Sequence, residues 1–96
     1  MGSGEARAWP RVTLFSIELT NSARKAIKRL NRKDQELVFA VLETLKENPT
    51  PPKSLKLRGR EGYRIRVGEL RVIYTFETGR LIVLVLDIGH RREIYR

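Results

Sequence analysis

The chain has no cysteine, so it has no disulfide framework, no thiolate metal site and no thiol nucleophile. It has one histidine, His90, which excludes a two-histidine metal site and a paired-histidine nuclease. No apolar run approaches the ~18 residues that would span a bilayer. The N-terminus carries no apolar stretch of signal-peptide type, which makes the cytoplasm the default compartment. Aromatic residues make up only 7% of the chain, too few for an obvious base-stacking platform. Acidic residues are scarce too. Against 20 Lys and Arg there are 11 Asp and Glu, a net charge of +9. That excess predicts attraction to a polyanion: nucleic acid, an acidic protein or an anionic membrane. A chain of 96 residues should form a single domain that buries roughly 60–65% of its unfolded surface.

Met1–Gly4 has the Gly/Ser character of a cloning leader, and residues 1–10 are taken as flexible, with one domain over 11–96. Arg11–Leu19 is rich in β-branched and aromatic residues and predicts a first strand. Thr20, Asn21 and Ser22 supply N-cap candidates for a helix whose apolar face is Ala23, Ala26, Ile27 and Leu30. Asp34 can cap a second helix, with an apolar stripe of Leu37, Val38, Val41, Leu42 and Leu45, ending before Pro49. Asn48–Gly62 is loop-like and holds Lys53, Lys56, Arg58 and Arg60. Three strands follow: Tyr63–Val67, Leu70–Phe76 and Leu81–Ile88. The expected fold is α+β, ordered β-α-α-β-β-β. A helical hairpin packs on one face of a mostly antiparallel four-stranded sheet. Residues 1–52 carry +3 and residues 53–96 carry +6, so the sheet half holds most of the excess.

Gly68-Glu69 suits a two-residue turn of type II′, which pairs Val67 with Leu70, Ile65 with Val72 and Arg66 with Arg71. A turn at Thr78-Gly79, or a four-residue loop over Glu77–Arg80, would pair Phe76 with Leu81, Tyr74 with Val83 and Val72 with Val85. Alternation then puts Tyr63, Ile65, Val67, Leu70, Val72, Tyr74 and Phe76 against the helices, with Arg64, Arg66 and Arg71 on an open face. Like charges directly across a ladder destabilise it, so Arg66 opposite Arg71 is not a choice made for stability. A bound anion relieves the repulsion, and the guanidinium fork suits phosphate. Gly89 permits a bend that could bring His90, Arg91 and Tyr95 to the same patch.

Four segments in order carry a resemblance: Lys56-Leu57-Arg58-Gly59, Gly62-Tyr63-Arg64-Ile65-Arg66-Val67, Leu70-Arg71-Val72-Ile73-Tyr74, and Ile88-Gly89-His90-Arg91 with Glu93-Ile94-Tyr95. Together with the preceding helical hairpin they resemble the RelE/ParE toxin superfamily of toxin–antitoxin modules, over about residues 12–95. The RelE branch contains interferases that cut messenger RNA in the ribosomal A site, and the ParE branch poisons DNA gyrase. What the resemblance implies is a basic strand pair at Arg64 and Arg66, the following strand's arginine at Arg71, a late arginine at Arg91 and a C-terminal tyrosine at Tyr95. Arg58 matches a loop arginine, and with Lys53, Lys56 and Arg60 it would hold RNA phosphate. This combination favours RelE over ParE.

The implied chemistry needs no metal or cofactor, because RNA brings its own nucleophile. The 2′-oxygen attacks the adjacent phosphorus, the 5′-oxygen leaves, and a 2′,3′-cyclic phosphate results. Arg64, Arg66 and Arg71 would stabilise the added negative charge. Tyr95 as base needs its hydroxyl shifted from about 10 toward neutrality, a direction that nearby cations favour. Arg91 would serve the leaving oxygen, and His90, ordinarily near 6.5, is the alternative acid or base. The implied partners are a cognate antitoxin, the ribosome and mRNA. The rival readings are a ParE-like gyrase inhibitor and an RNA-binding domain that does not cut.

Overall fold

The computed structural model describes residues 14–90. The leader, Trp9, the first part of the expected first strand, Arg91 and Tyr95 lie outside the described residues. Strand β1 is Ser16–Leu19. Thr20 follows in extended geometry, and its hydroxyl accepts the Ala23 N–H at 3.1 Å to open helix α1, Asn21–Arg29. The same hydroxyl donates to the Leu86 carbonyl at 2.7 Å, tying the helix start to the sheet. Helix α2, Arg32–Glu47, is capped by Asn31 and not by Asp34, because the Asn31 side chain accepts the Asp34 N–H at 2.8 Å. It stops before Pro49, as expected.

The sheet has five strands rather than four. The extra one, β2, is Leu55–Lys56. With β3 (Tyr63–Val67), β4 (Leu70–Glu77) and β5 (Ile82–His90) the spatial order is β1-β5-β4-β3-β2, and β1 joins β5 in parallel. The β3–β4 register matches the expectation, including Arg66 opposite Arg71. Gly68 has φ +59°, while Glu69 is not left-handed, as a type II′ turn requires.

The β4–β5 register differs from the expected one by two residues. Phe76 faces Val83 and Tyr74 faces Val85, because the connection is a four-residue loop, Thr78–Leu81, closed by a left-handed Leu81 at φ +56°. A two-residue slip preserves the faces. A bulge does not. The ladder shifts between Ile73 and Tyr74, so Ile73 faces Asp87 and Val72 faces Ile88, with Leu86 as the extra residue on β5. Ile88 therefore joins the core.

That core lies between the helices and the sheet: Val38, Leu42 and Leu45 of α2 and Ala23 and Ile27 of α1 against Ile65, Leu70, Val72, Tyr74, Val83, Val85 and Ile88. Gln35 donates to the Ile27 carbonyl at 2.8 Å and joins the two helices. Among the described residues, no helix is long and apolar enough to cross a membrane.

Tyr74 is fully buried, stacks on Tyr63 at 5.8 Å and donates its hydroxyl to the Pro49 carbonyl at 2.6 Å. It thereby fastens the start of the α2–β2 segment. Burial pushes its hydroxyl above the ordinary value of 10.0. The folded chain thus holds this proton more tightly than the unfolded one. The associated stability is complete below about pH 10 and falls as pH rises beyond it. Tyr74→Phe should lower Tm at neutral pH, since a net hydrogen bond contributes about 0.5–1.5 kcal/mol. It should also flatten the loss of Tm at alkaline pH. Thermal melts from pH 8 to 11 check both.

Candidate functional site

The hairpin of β3 and β4 builds the site from its turn outwards. In a two-residue hairpin the closing pair, Val67 and Leu70, exchanges hydrogen bonds. The next pair, Arg66 and Arg71, is then a non-hydrogen-bonded pair, whose Cα atoms approach to about 4.5 Å. Two guanidinium groups therefore start from neighbouring backbone positions on one face.

Their environments differ. Arg66 is exposed, Arg64 is half-buried and Arg71 is only 4% exposed. The open face expected for Arg71 is thus corrected: alternation placed it on the right side of the sheet but not at its actual depth. Position 89, directly across from Arg71 on β5, is a glycine, so no β5 side chain competes for that spot. No carboxylate of a described residue lies within ion-pair distance of Arg66; the described ion pairs are Lys46 with Glu43 and Arg80 with Glu77.

A groove of about 960 Å³ opens beside this pair, where β3 runs on past the short β2. One wall is α2, through Val41 and Thr44. The other is the segment through Pro51, Pro52, Lys53 and Leu55, and the floor includes Arg64, Ile65, Arg66, Val67 and Arg71. Pro51 is buried, and Tyr74 holds the segment's base through Pro49. The result is a half-apolar channel with cations along one side. Such a site can hold a ribose and grip its phosphate by forked hydrogen bonds in a setting drier than water.

The structure therefore brings Lys53, Arg64, Arg66 and Arg71 together. It does not bring Lys56, Arg58 and Arg60 to them. Lys56 pairs with Tyr63 at the far end of β3, about 10 Å from Arg66 along the strand, and Arg58 and Arg60 are exposed on the β2–β3 connection. His90 pairs with Leu70, not with Arg71. Paired residues share a face, so His90 starts from the helix side of the sheet. The bulge at Leu86 causes this, and the bend expected at Gly89 does not. Sequence reasoning missed the groove walls at Val41, Thr44, Pro51, Pro52 and Leu55. The paired prolines after the helix were the available signal.

A family model described as the ParE toxin of type II toxin–antitoxin system, parDE, matches residues 17–95. The chain belongs to the RelE/ParE toxin superfamily. Within this superfamily it is 28% identical over 86 residues to the protein named "Putative toxin RelE1" of Methanocaldococcus jannaschii, covering 85% of this chain and 96% of that one. The RelE–RelB complex of Pyrococcus horikoshii aligns with a TM-score of 0.71 at 21% identity, covering 83% of this chain and 98% of that chain. The RelBE2 toxin–antitoxin complex of Mycobacterium tuberculosis aligns with a TM-score of 0.67 at 25% identity, over 81% and 99%. This RelE/ParE toxin thus has the fold of those toxins, two helices on a five-stranded mixed sheet.

Proposed function

We propose that this type II toxin is a ribosome-dependent mRNA endonuclease of the RelE kind. The observation that carries the reading is Arg66 opposite Arg71 at the floor of a half-apolar groove. A gyrase inhibitor needs no such clamp, and a structural sheet avoids it. The 2′-oxygen of a ribose in the groove attacks the neighbouring phosphorus while the 5′-oxygen departs. The products are a 2′,3′-cyclic phosphate and a 5′-hydroxyl. Arg66 and Arg71 meet the charge that gathers on the non-bridging oxygens, and Arg64 and Lys53 hold the strand. Tyr95 takes the 2′-proton, Arg91 offsets the charge on the leaving 5′-oxygen, and that oxygen gains its proton from water. DNA lacks the attacking group and is not cut. The ribosome supplies orientation, so cleavage of free RNA is slow. In the cell the toxin acts in the cytoplasm. It is held in check by an antitoxin, as the complexes of the similar toxins suggest, and an acidic antitoxin would suit the +9 charge.

The deciding experiment is primer extension on mRNA in a translating extract, run beside a gyrase supercoiling assay. Codon-phased cuts with normal supercoiling support the reading. Inhibited supercoiling with intact mRNA gives the site to the ParE activity for which the matching family model is named. Within the cleavage assay, Tyr95→Phe should slow the chemical step by about 10²-fold or more, the scale of general acid–base catalysis. His90→Gln should cost much less, because His90 shares its face with Leu70. The reverse order passes the base role to His90.

A further inference from the structure

A second cationic site lies outside the groove. Helix α1 carries Arg24, Lys25, Lys28 and Arg29 and no acidic residue. Arg24 with Lys28 and Lys25 with Arg29 are like-charge pairs at i,i+4, an arrangement that weakens a helix. None of the four has an ion-pair partner among the described residues. Between α1 and the end of β5 lies a cleft of about 530 Å³ lined by Ser22, Lys25, Arg29, Asp87, Gly89 and His90. The one carboxylate there, Asp87, accepts the Ile88 N–H at 2.9 Å and is not within ion-pair reach of Lys25 or Arg29.

We propose that this cleft is a distal phosphate subsite, binding the backbone of single-stranded RNA a few nucleotides from the phosphodiester held in the arginine groove. The inference rests on the endonuclease reading and adds to it where the rest of the strand is held. Gly89 lines the cleft and pairs with Arg71, and Arg71 pairs with Arg66, so the backbone positions of Gly89 and Arg66 are about 10 Å apart across the strands. The cleft opens on the helix side, and the RNA reaches it from the arginine face past the end of β5. The outer face of α1 favours RNA over a protein partner. Its apolar residues Ala23 and Ile27 are buried, and the exposed ones are Asn21, Ser22, Arg24, Lys25, Lys28 and Arg29. A protein interface wants an apolar centre, and a phosphate chain needs only cations.

The test uses 2′-O-methyl oligoribonucleotides, a trimer and a 12-mer, which the toxin cannot cut. Fluorescence anisotropy is measured over a salt series with the full chain. Lys25→Gln/Arg29→Gln should weaken 12-mer binding at least tenfold at low salt. It should also reduce the log–log salt slope by about 1.4, two phosphates at ~0.7 each for single strands. Trimer binding should not change. The charge-matched Arg32→Gln/Lys33→Gln, away from the cleft, should leave the slope nearly intact. Tm should hold or rise, since the cleft variant removes a repulsive pair; if that double variant unfolds, Lys25→Gln alone should lower the slope by about 0.7. Equal losses from both doubles, or unchanged 12-mer binding, overturn the subsite. Capture of a poly-glutamate peptide that depends on Lys25 and Arg29, with RNA binding unaffected, overturns it in favour of an acidic protein. Because these probes are never cut, failure of the endonuclease reading shows separately, in primer extension.

Discussion

Arg71→Lys is expected to lower ribosome-dependent mRNA cleavage by at least 100-fold while Tm moves by only a few degrees. The substitution keeps a positive charge but loses the planar fork that can hold two oxygens of one phosphate. Removing a single preorganised donor to a transition-state oxyanion typically costs about 10²–10³ in rate. Lysine is the informative replacement because of where Arg71 lies. At 4% exposure, Arg71 fills space beside β5, and alanine would leave a void as well as delete a charge. Loss of activity in Arg71→Ala would then be ambiguous between chemistry and folding. Primer extension and a thermal melt on the lysine variant separate the two. Wild-type cleavage by a well-folded Arg71→Lys protein would show that the guanidinium fork of Arg71 is not needed for the chemistry, and the charge role would pass to Arg66 and Arg64.

Much of this arrangement is legible in the residues. The strict alternation of Tyr63 to Tyr74 around Gly68-Glu69 admits one register, and a one-residue slip would turn Arg64, Arg66 and Arg71 into the core. The loop at Thr78–Leu81 is less constrained, since two- and four-residue connections both keep the apolar residues on the helix side. That is why the β4–β5 pairing differs by two while the faces agree. The bulge at Leu86 has no composition of its own. It shows only as Ile88 joining the core out of phase with Val83 and Val85, and it carries His90 to the side of Leu70. Two-residue β2 hides in a proline-rich stretch because so short an edge strand cannot display a period. Depth is the other illegible quantity. Period two states the face of Arg71 but says nothing about what covers that face.

The second large effect pulls stability and activity in opposite directions. Arg66→Glu places a carboxylate opposite Arg71, turning a repulsive cross-strand pair into an attractive one. Each sign contributes roughly 0.2–1 kcal/mol, so the swing is on the order of 0.4–2 kcal/mol. For a domain of this size each kcal/mol moves Tm by about 4–8 °C, so the variant should melt several degrees higher. The same carboxylate lies where the phosphodiester must bind, and cleavage should fall by more than about 10³-fold, the combined loss of a donor and gain of a like charge. A stabilised protein cannot owe its inactivity to unfolding, so the two readouts together identify the cause. Arg66→Gln is the intermediate case: it relieves repulsion without adding attraction and should show part of the Tm gain with a smaller loss of rate. If Arg66→Glu melts lower than the wild type, the pair is not repulsive in the folded chain. The anion that was inferred to relieve it then has no reason to be there.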